Sequence, residues 1–274
     1  MKESFLNIAI RAAFEAGSEI MKIYENSFQV NYKDDKSPLT KADVNANNVI
    51  LSYLEKTNIP VISEETKQLD YDIRKTWDSC WIVDPLDGTK EFIKKNDEFT
   101  VNIAFVEKGD VSFSVIYAPA LNLLYYTDSN KKNAYKLPLK SIENFESKLF
   151  RDTNKISPNV PQNSLVRVVG SRSHMNEETN NFINDLKGKY DTVEFLSIGS
   201  SLKFCMIAEG EADIYPRFAP TMEWDTAAGQ AICEAVGLRV TDLSSKVNMI
   251  YNRENLRNNY FVVSLNNQSL LMGN

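Results

Sequence analysis

An α/β protein with an α+β N-terminal half is the fold that this chain predicts, on three observations. An amphipathic helical pattern opens the chain, a dense run of short apolar strands joined by tight turns occupies residues 99–126, and strand and helix alternate from residue 166 onward. Alternation of that kind implies layers, because each apolar sheet face and helix stripe must be buried against another element. The 274 residues suit one large domain or two tightly joined halves, and 43% hydrophobic content with mixed charge suits a soluble globular chain.

Residues 4–24 place Phe5, Ile8, Ala9, Ala12, Ala16, Ile20 and Met21 at helical spacing, which predicts a packing helix without chemistry. In Ser37-Pro38-Leu39-Thr40-Lys41-Ala42-Asp43, Thr40 is the expected N-cap of a second helix with Asp43 at its third position, and Val44, Asn47, Leu51 and Leu54 continue one face. A capping carboxylate explains Asp43 as well as an active-site role does. Residues 60–63 read as a short strand ending in Glu64 and Glu65. Residues 80–83 read as a buried strand, after which Pro85 and Gly88 are expected to turn the chain at once, so that Asp84 and Asp87 share one tight turn. Strands over 100–106, 111–117 and 123–127, with a turn at Lys108-Gly109-Asp110, suit antiparallel pairing. Residues 131–162 lose periodicity, and a boundary between two halves is expected there. Beyond it come a strand over 166–170, a helix over 176–186, a strand over 192–196, a helix over 201–209, a strand over 212–215 and a helix over 225–236 closed by Gly237.

Composition narrows the chemistry. No apolar run approaches the roughly 20 residues that span a bilayer, and Met1-Lys2-Glu3-Ser4 leads into the amphipathic pattern rather than a signal peptide, so the cytoplasm is the expected compartment. Cys80, Cys205 and Cys233 are odd in number and set in apolar surroundings, the pattern of buried free thiols. With His174 the sole histidine, imidazole-base chemistry and His-rich metal sites are largely removed. Carboxylate is what remains. Oxygen ligation points to a hard cation, Mg²⁺ before Mn²⁺ or Ca²⁺, and Mg²⁺ usually works on phosphates. A net charge of -6 argues against a nucleic-acid groove but is compatible with a small phosphorylated substrate bridged by metal.

Four places could carry that chemistry. Asp84 and Asp87 would repel each other unless a cation sat between them, although an ordinary Asx turn also accommodates the pair. Ile198-Gly199-Ser200-Ser201-Leu202-Lys203 puts hydroxyls, helix N–H groups and a lysine where an anion is favoured, or where Ser200 merely caps the helix. Arg217 offers a guanidinium to a phosphate or a base face, or is a surface charge. Asp225 opens a helix of very small residues, as a simple N-cap or as a carboxylate aimed inward by close packing.

Taken together, Ser63-Glu64-Glu65, the stretch 84–92 and Trp224-Asp225-Thr226-Ala227-Ala228-Gly229 resemble the signature of the inositol monophosphatase-like superfamily of Mg²⁺-dependent, lithium-sensitive phosphatases. Thr89-Lys90-Glu91-Phe92-Ile93, the run 98–104, Gly170-Ser171-Arg172-Ser173-His174 and the run 199–217 are similar to its CysQ-type 3'(2'),5'-bisphosphate nucleotidase branch. The resemblance implies a layered αβαβα sugar-phosphatase fold of the inositol monophosphatase/fructose bisphosphatase type. Residues 1–145 would form an α+β subdomain with the antiparallel sheet and most metal ligands, and 146–274 an α/β subdomain with the nucleotide-binding segment and Asp225. It further implies that Glu64, Asp84, the backbone carbonyl of Leu86, Asp87 and Asp225 hold two or three Mg²⁺ ions, with Mn²⁺ as a substitute. Asp43 would face the third, weaker metal and, with Glu64 and Thr89, serve catalysis by readying the attacking water. Gly88 and Thr89 would present N–H groups to the scissile phosphate, and Ser200, Lys203 and Arg217 would bind the rest of the nucleotide; Glu64, Leu86, Asp87 and Asp225 also count among the substrate-facing positions.

The implied reaction is removal of the 3'-phosphate of adenosine 3',5'-bisphosphate (PAP) to give AMP, with the sulfated nucleotide PAPS as a second substrate and clearance of a by-product of sulfate assimilation as the role. Two competing expectations stand beside it: an inositol or sugar-phosphate phosphatase of the same fold, and a non-catalytic sensor of nucleotide and metal. The expected partner is a small molecule rather than nucleic acid, the chain has no expected integral membrane segment, and a monomer is expected before a dimer.

Overall fold

The structure, a computed structural model, describes residues 2–26, 30–32, 38–160, 164–171 and 175–265. Helix α1 (Lys2–Tyr24) and a short antiparallel pair, β1 (Val30–Tyr32) and β2 (Pro38–Thr40), lead into α2 (Lys41–Leu54). A six-stranded sheet follows, built from β3 (Val61–Ser63), β4 (Ser79–Asp87), β5 (Thr100–Glu107), β6 (Asp110–Ala118), β7 (Leu123–Thr127) and β8 (Ala134–Pro138) in that spatial order. Two short helices, α3 (Tyr71–Arg74) and α4 (Thr89–Lys94), interrupt it. Strand β3 runs parallel to β4 and every other pairing in the sheet is antiparallel. Lys108 (φ 51) and Gly109 (φ 86) are both left-handed, the backbone that a tight hairpin between right-twisted strands demands.

Alternation along these strands separates two cores. Trp81, Val83, Ile103, Phe105, Phe113 and Val115 point to the face covered by α1 and α2, where Leu6, Ile10, Ala13 and Ile50 are fully buried. Ile82, Ala104, Val106 and Ile116 point the other way, against α6 (Leu202–Ala208) and α7 (Glu223–Ala235). Those two helices rest in turn on a second β layer. It comprises the parallel pair β9 (Leu165–Gly170) and β10 (Thr192–Ser197), and the antiparallel trio β11 (Tyr215–Arg217), β13 (Phe261–Leu265) and β12 (Leu238–Asp242), linked by a Val168–Ile214 bridge. Helix α5 (Glu177–Lys187) covers the outer side through Phe182, Ile183 and Leu186. The layers therefore run αβαβα, as expected. No helix among the described residues is long and apolar enough to cross a membrane, and the three cysteines are buried and free.

Several local expectations need correction. The buried face of α2 is Ala42, Asp43, Ala46, Asn47, Ile50 and Leu54, whereas Val44 is 42% exposed; small alanines mark a buried stripe poorly when larger apolar residues are scattered beside it. Strand β4 does not stop at Val83 but continues to Asp87 through an irregularity: Asp84 pairs with Asn102 and Asp87 with Thr100, so β4 carries an extra residue over that interval. Pro85, with no N–H to give to a ladder, sits inside that bulge. Strand β8 lies within the stretch that looked aperiodic, β12 and β13 were not anticipated, and the strand expected at 212–215 is registered at Tyr215–Arg217. Helix α7 begins at Glu223, so Asp225 is its third residue, in the first turn, rather than its cap.

Candidate active site

Several chain segments deliver side chains to one cleft. Glu64 follows the end of β3, its N–H bonded to the Val83 carbonyl at 3.2 Å. The β4 bulge turns Asp84 inward, where it is 1% exposed and its Oδ1 accepts from the Leu86 N–H at 3.1 Å. Gly88 then takes φ +92, and a Cβ there would lie 3.1 Å from the Glu98 carbonyl, so glycine is required for the chain to enter α4 at Thr89. Asp225 reaches the cleft from the first turn of α7, accepting the Met222 N–H at 2.7 Å. Close helix packing supports that aim, since a Cβ on Gly229 would be 2.3 Å from the Phe204 ring of α6.

Oxygen atoms of Asp84, Asp87 and Asp225 lie within 4.8 Å of one another. Burial, then the neighbouring carboxylates Glu64, Asp87 and Asp225, drives Asp84 well above the ordinary carboxylate range. Burial with Asp87 and Glu64 pushes Asp225 up to about 8. Burial raises Asp87 to about 6, with Lys203 and the Asn102 amide, 3.3 Å from its Oδ2, pulling it back. Such a set of converging, mutually repelling oxygens fits a hard divalent cation and is costly without one. Glu64 lines the same cavity.

Asp43 is also buried, 2% exposed, and caps α2 as the sequence suggested: its Oδ2 accepts from the Thr40 N–H at 2.7 Å and the Thr40 hydroxyl at 2.6 Å. Its other oxygen, Oδ1, accepts from the Thr89 hydroxyl at 3.2 Å. The capping reading is realised on one oxygen, which leaves the other for Thr89. Burial raises the Asp43 carboxyl, against the lowering effect of Thr40. The Thr89 hydroxyl also lies 3.4 Å from the Leu86 carbonyl oxygen.

The same cavity, about 220 Å³ in volume, is also lined by Ser200, Lys203 and Arg217. Ser200 adopts a left-handed backbone (φ 49) and is not the cap of α6; Ser201 holds that place. Lys203 is 6% exposed, its ammonium bonded to the Ser200 carbonyl at 2.5 Å and lying 5.7 Å from the centre of the Tyr215 ring. Burial lowers Lys203 to about 8 despite the attraction of Asp87. Arg217 donates to the Pro220 carbonyl at 3.2 Å, and its buried Nε has no hydrogen-bond partner among the described residues. Thus Glu64, Asp87, Gly88, Thr89, Ser200, Lys203, Arg217 and Asp225 share one cavity, with Asp84 and Asp43 buried behind it. His174, with Arg172 and Ser173, lies outside the described residues.

Asn102 and Ser201 were not singled out. Asn102 holds Asp87 through its amide and accepts the Ser201 hydroxyl at 2.7 Å, while Ser201 and the Thr100 hydroxyl are 2.8 Å apart. This buried network ties β5 to the start of α6 behind the carboxylates. The available signal was polar Thr100 and Asn102 in an otherwise apolar strand.

Fold and site define a small-molecule pocket built to bring cations and an anionic ligand together. The chain belongs to the inositol monophosphatase family, whose model matches residues 1–272. It is 43% identical over 257 residues to a 3'(2'),5'-bisphosphate nucleotidase CysQ of Salmonella typhimurium, covering 92% of this chain and 96% of that one. The corresponding protein of Buchnera aphidicola is 45% identical over 251 residues, 87% of this chain and 88% of its relative. The crystal structure of CysQ from Bacteroides thetaiotaomicron, described as a bacterial member of the same family, superposes with a TM-score of 0.86 at 44% identity, over 97% of this chain and 98% of that one.

Proposed function

We propose that the protein is a metal-dependent 3'(2'),5'-bisphosphate nucleotidase that converts PAP to AMP and phosphate. The observation that carries this reading is the charge content of the cavity: one pocket is lined both by members of the carboxylate cluster and by two cations, the buried Lys203 and Arg217. A ligand with two phosphates answers both the metal-binding carboxylates and the two cations, whereas a monophosphate leaves one of the two sets unanswered. Relatives 43% and 45% identical over most of both chains, each named as such a nucleotidase, support it.

Glu64, Asp84, Asp87, Asp225 and the Leu86 carbonyl would hold Mg²⁺, two ions with a third toward Asp43, and Mn²⁺ is the expected substitute. Bound there, the ions would offset phosphate charge, acidify water and stabilise the leaving alkoxide. Asp43 and Thr89, hydrogen-bonded at 3.2 Å, orient a water and take up its proton through the Asp43 carboxylate. Gly88 and Thr89 steer the scissile phosphate, and Lys203 and Arg217 fix the 5'-phosphate with Ser200 beside them. PAPS fits the same arrangement, its 5' group remaining anionic. The three buried free thiols suit action in a reducing cytoplasm.

Chromatography of the products tests this. Incubation of PAP with the protein and Mg²⁺ should yield 5'-AMP, and PAPS should yield adenosine 5'-phosphosulfate. Formation of 3'-AMP instead would reverse the assigned orientation of the nucleotide.

A further inference from the structure

Glu91 belongs to the Thr89-Lys90-Glu91-Phe92 motif but has no part in the chemistry above. Its side chain forms part of the cavity wall with Asp87, Gly199 and Lys203. A Cβ on residue 199 would lie 2.5 Å from Glu91 Cγ and 3.1 Å from its Cδ, so Gly199 is what leaves room for this carboxylate at the wall. Around Gly199 the chain is held by a second glutamate, Glu98, whose Oε2 accepts the Gly199 N–H at 2.8 Å. Glu91 by contrast takes no side-chain hydrogen bond and forms no salt bridge with any described residue. It lies near enough to Asp87 and Lys203 to raise the pKa of both. An acceptor-only group facing the cavity repels phosphate and calls for a ligand donor.

PAP carries one free ribose hydroxyl, at C2', adjacent to the 3' ester that the carboxylate cluster would receive. Its other neutral donor, the adenine amine, lies at the far end of the molecule. We propose that Glu91 is a specificity-determining residue that accepts a hydrogen bond from the hydroxyl vicinal to the scissile phosphoester. The inference rests on the nucleotidase reading. It makes the pocket selective for ribo- over 2'-deoxynucleotides, and more generally for phosphates of vicinal diols.

The test compares kcat/KM for adenosine 3',5'-bisphosphate and its 2'-deoxy analogue, with Mg²⁺, in the parent, Glu91→Ala and Glu91→Gln. A hydrogen bond to a charged acceptor corresponds to about tenfold to a hundredfold in favour of the ribonucleotide in the parent. That ratio should fall toward unity in Glu91→Ala and be partly restored in Glu91→Gln, whose amide oxygen still accepts. An alanine variant that keeps the parental ratio, or loses activity equally on both substrates, would reduce Glu91 to a wall-shaping role and overturn the inference. So would a parent that uses both nucleotides equally, with the nucleotidase reading left intact. A parent that releases phosphate from neither overturns that reading itself.

Discussion

Replacing Asp84 with asparagine should stabilise the protein in chelator while ending its chemistry. Asp84 is 1% exposed and shares a 4.8 Å cluster with Asp87 and Asp225. At that separation, two full charges repel by about 3.5 kcal/mol at an effective dielectric constant of about 20. The metal-free protein escapes this by holding protons: burial first, and neighbouring carboxylates after it, put Asp84 well above the ordinary range, Asp87 near 6 and Asp225 near 8. The sign of the linkage follows. Below the unfolded carboxylate value, about 4, both states are protonated and the cluster costs nothing. As pH rises from there toward the folded values, the unfolded chain ionises first and the metal-free fold loses stability. Asparagine removes one member while its Oδ1 keeps the 3.1 Å bond from the Leu86 N–H. The expected gain near neutral pH is about 2–4 kcal/mol, or roughly 5–10 °C in Tm for a chain of this size. Thermal unfolding by circular dichroism, in EDTA and in Mg²⁺ over about pH 5 to 8, measures it. The parent should weaken in EDTA with rising pH and recover with metal, and the variant should melt higher in EDTA, depend less on pH and gain less from metal. A variant that melts at or below the parent in EDTA at neutral pH would refute the repulsive cluster.

Lys203→Met should raise the KM for PAP about tenfold or more. Because burial sets Lys203 near 8, the parent's KM should rise as pH passes that value and the ammonium is lost, while the variant's KM stays flat there; a parallel rise in both would show that another group titrates. Gly199→Ala forces a Cβ to 2.5 Å from Glu91 Cγ and 2.8 Å from the Glu98 carbonyl, so denaturant unfolding should show a loss of about 1–3 kcal/mol together with reduced kcat/KM. Arg253→Met strands Glu223, fully buried and paired to Arg253 Nε at 3.0 Å, at the start of the helix that carries Asp225. Stability should fall by about 3 kcal/mol. Burial already lifts Glu223 to about 7, so the loss should be greatest at alkaline pH and shrink as the pH drops below that value.

What could be read from the sequence were strong local patterns. The strands flanking Lys108-Gly109, the Thr40–Asp43 cap and the helix closed by Gly237 all follow from turn and capping chemistry that acts within a few residues. Asp84, Asp87 and Asp225 were marked by carboxylates at the ends of apolar runs, and their convergence was implied only by resemblance, because Asp225 lies 138 residues beyond Asp87. The bulge at Pro85 looked like a turn, since proline and glycine punctuate both. Strands β8, β12 and β13 carry short or interrupted apolar patterns and are defined by the partners they pair with. Asn102 could not be assigned a role because its importance lies in two hydrogen bonds to residues distant in sequence, and Glu91 because its meaning depends on the missing side chain at Gly199.

The most direct test of the central claim is phosphate release from PAP by the parent protein with Mg²⁺, set against inositol 1-phosphate and fructose 1,6-bisphosphate, with EDTA as the control. The charge layout predicts a strong preference for the nucleotide that vanishes with the metal. Preference for inositol 1-phosphate or the sugar bisphosphate would contradict the role given to Lys203 and Arg217, and full activity in EDTA would contradict the metal-dependent site.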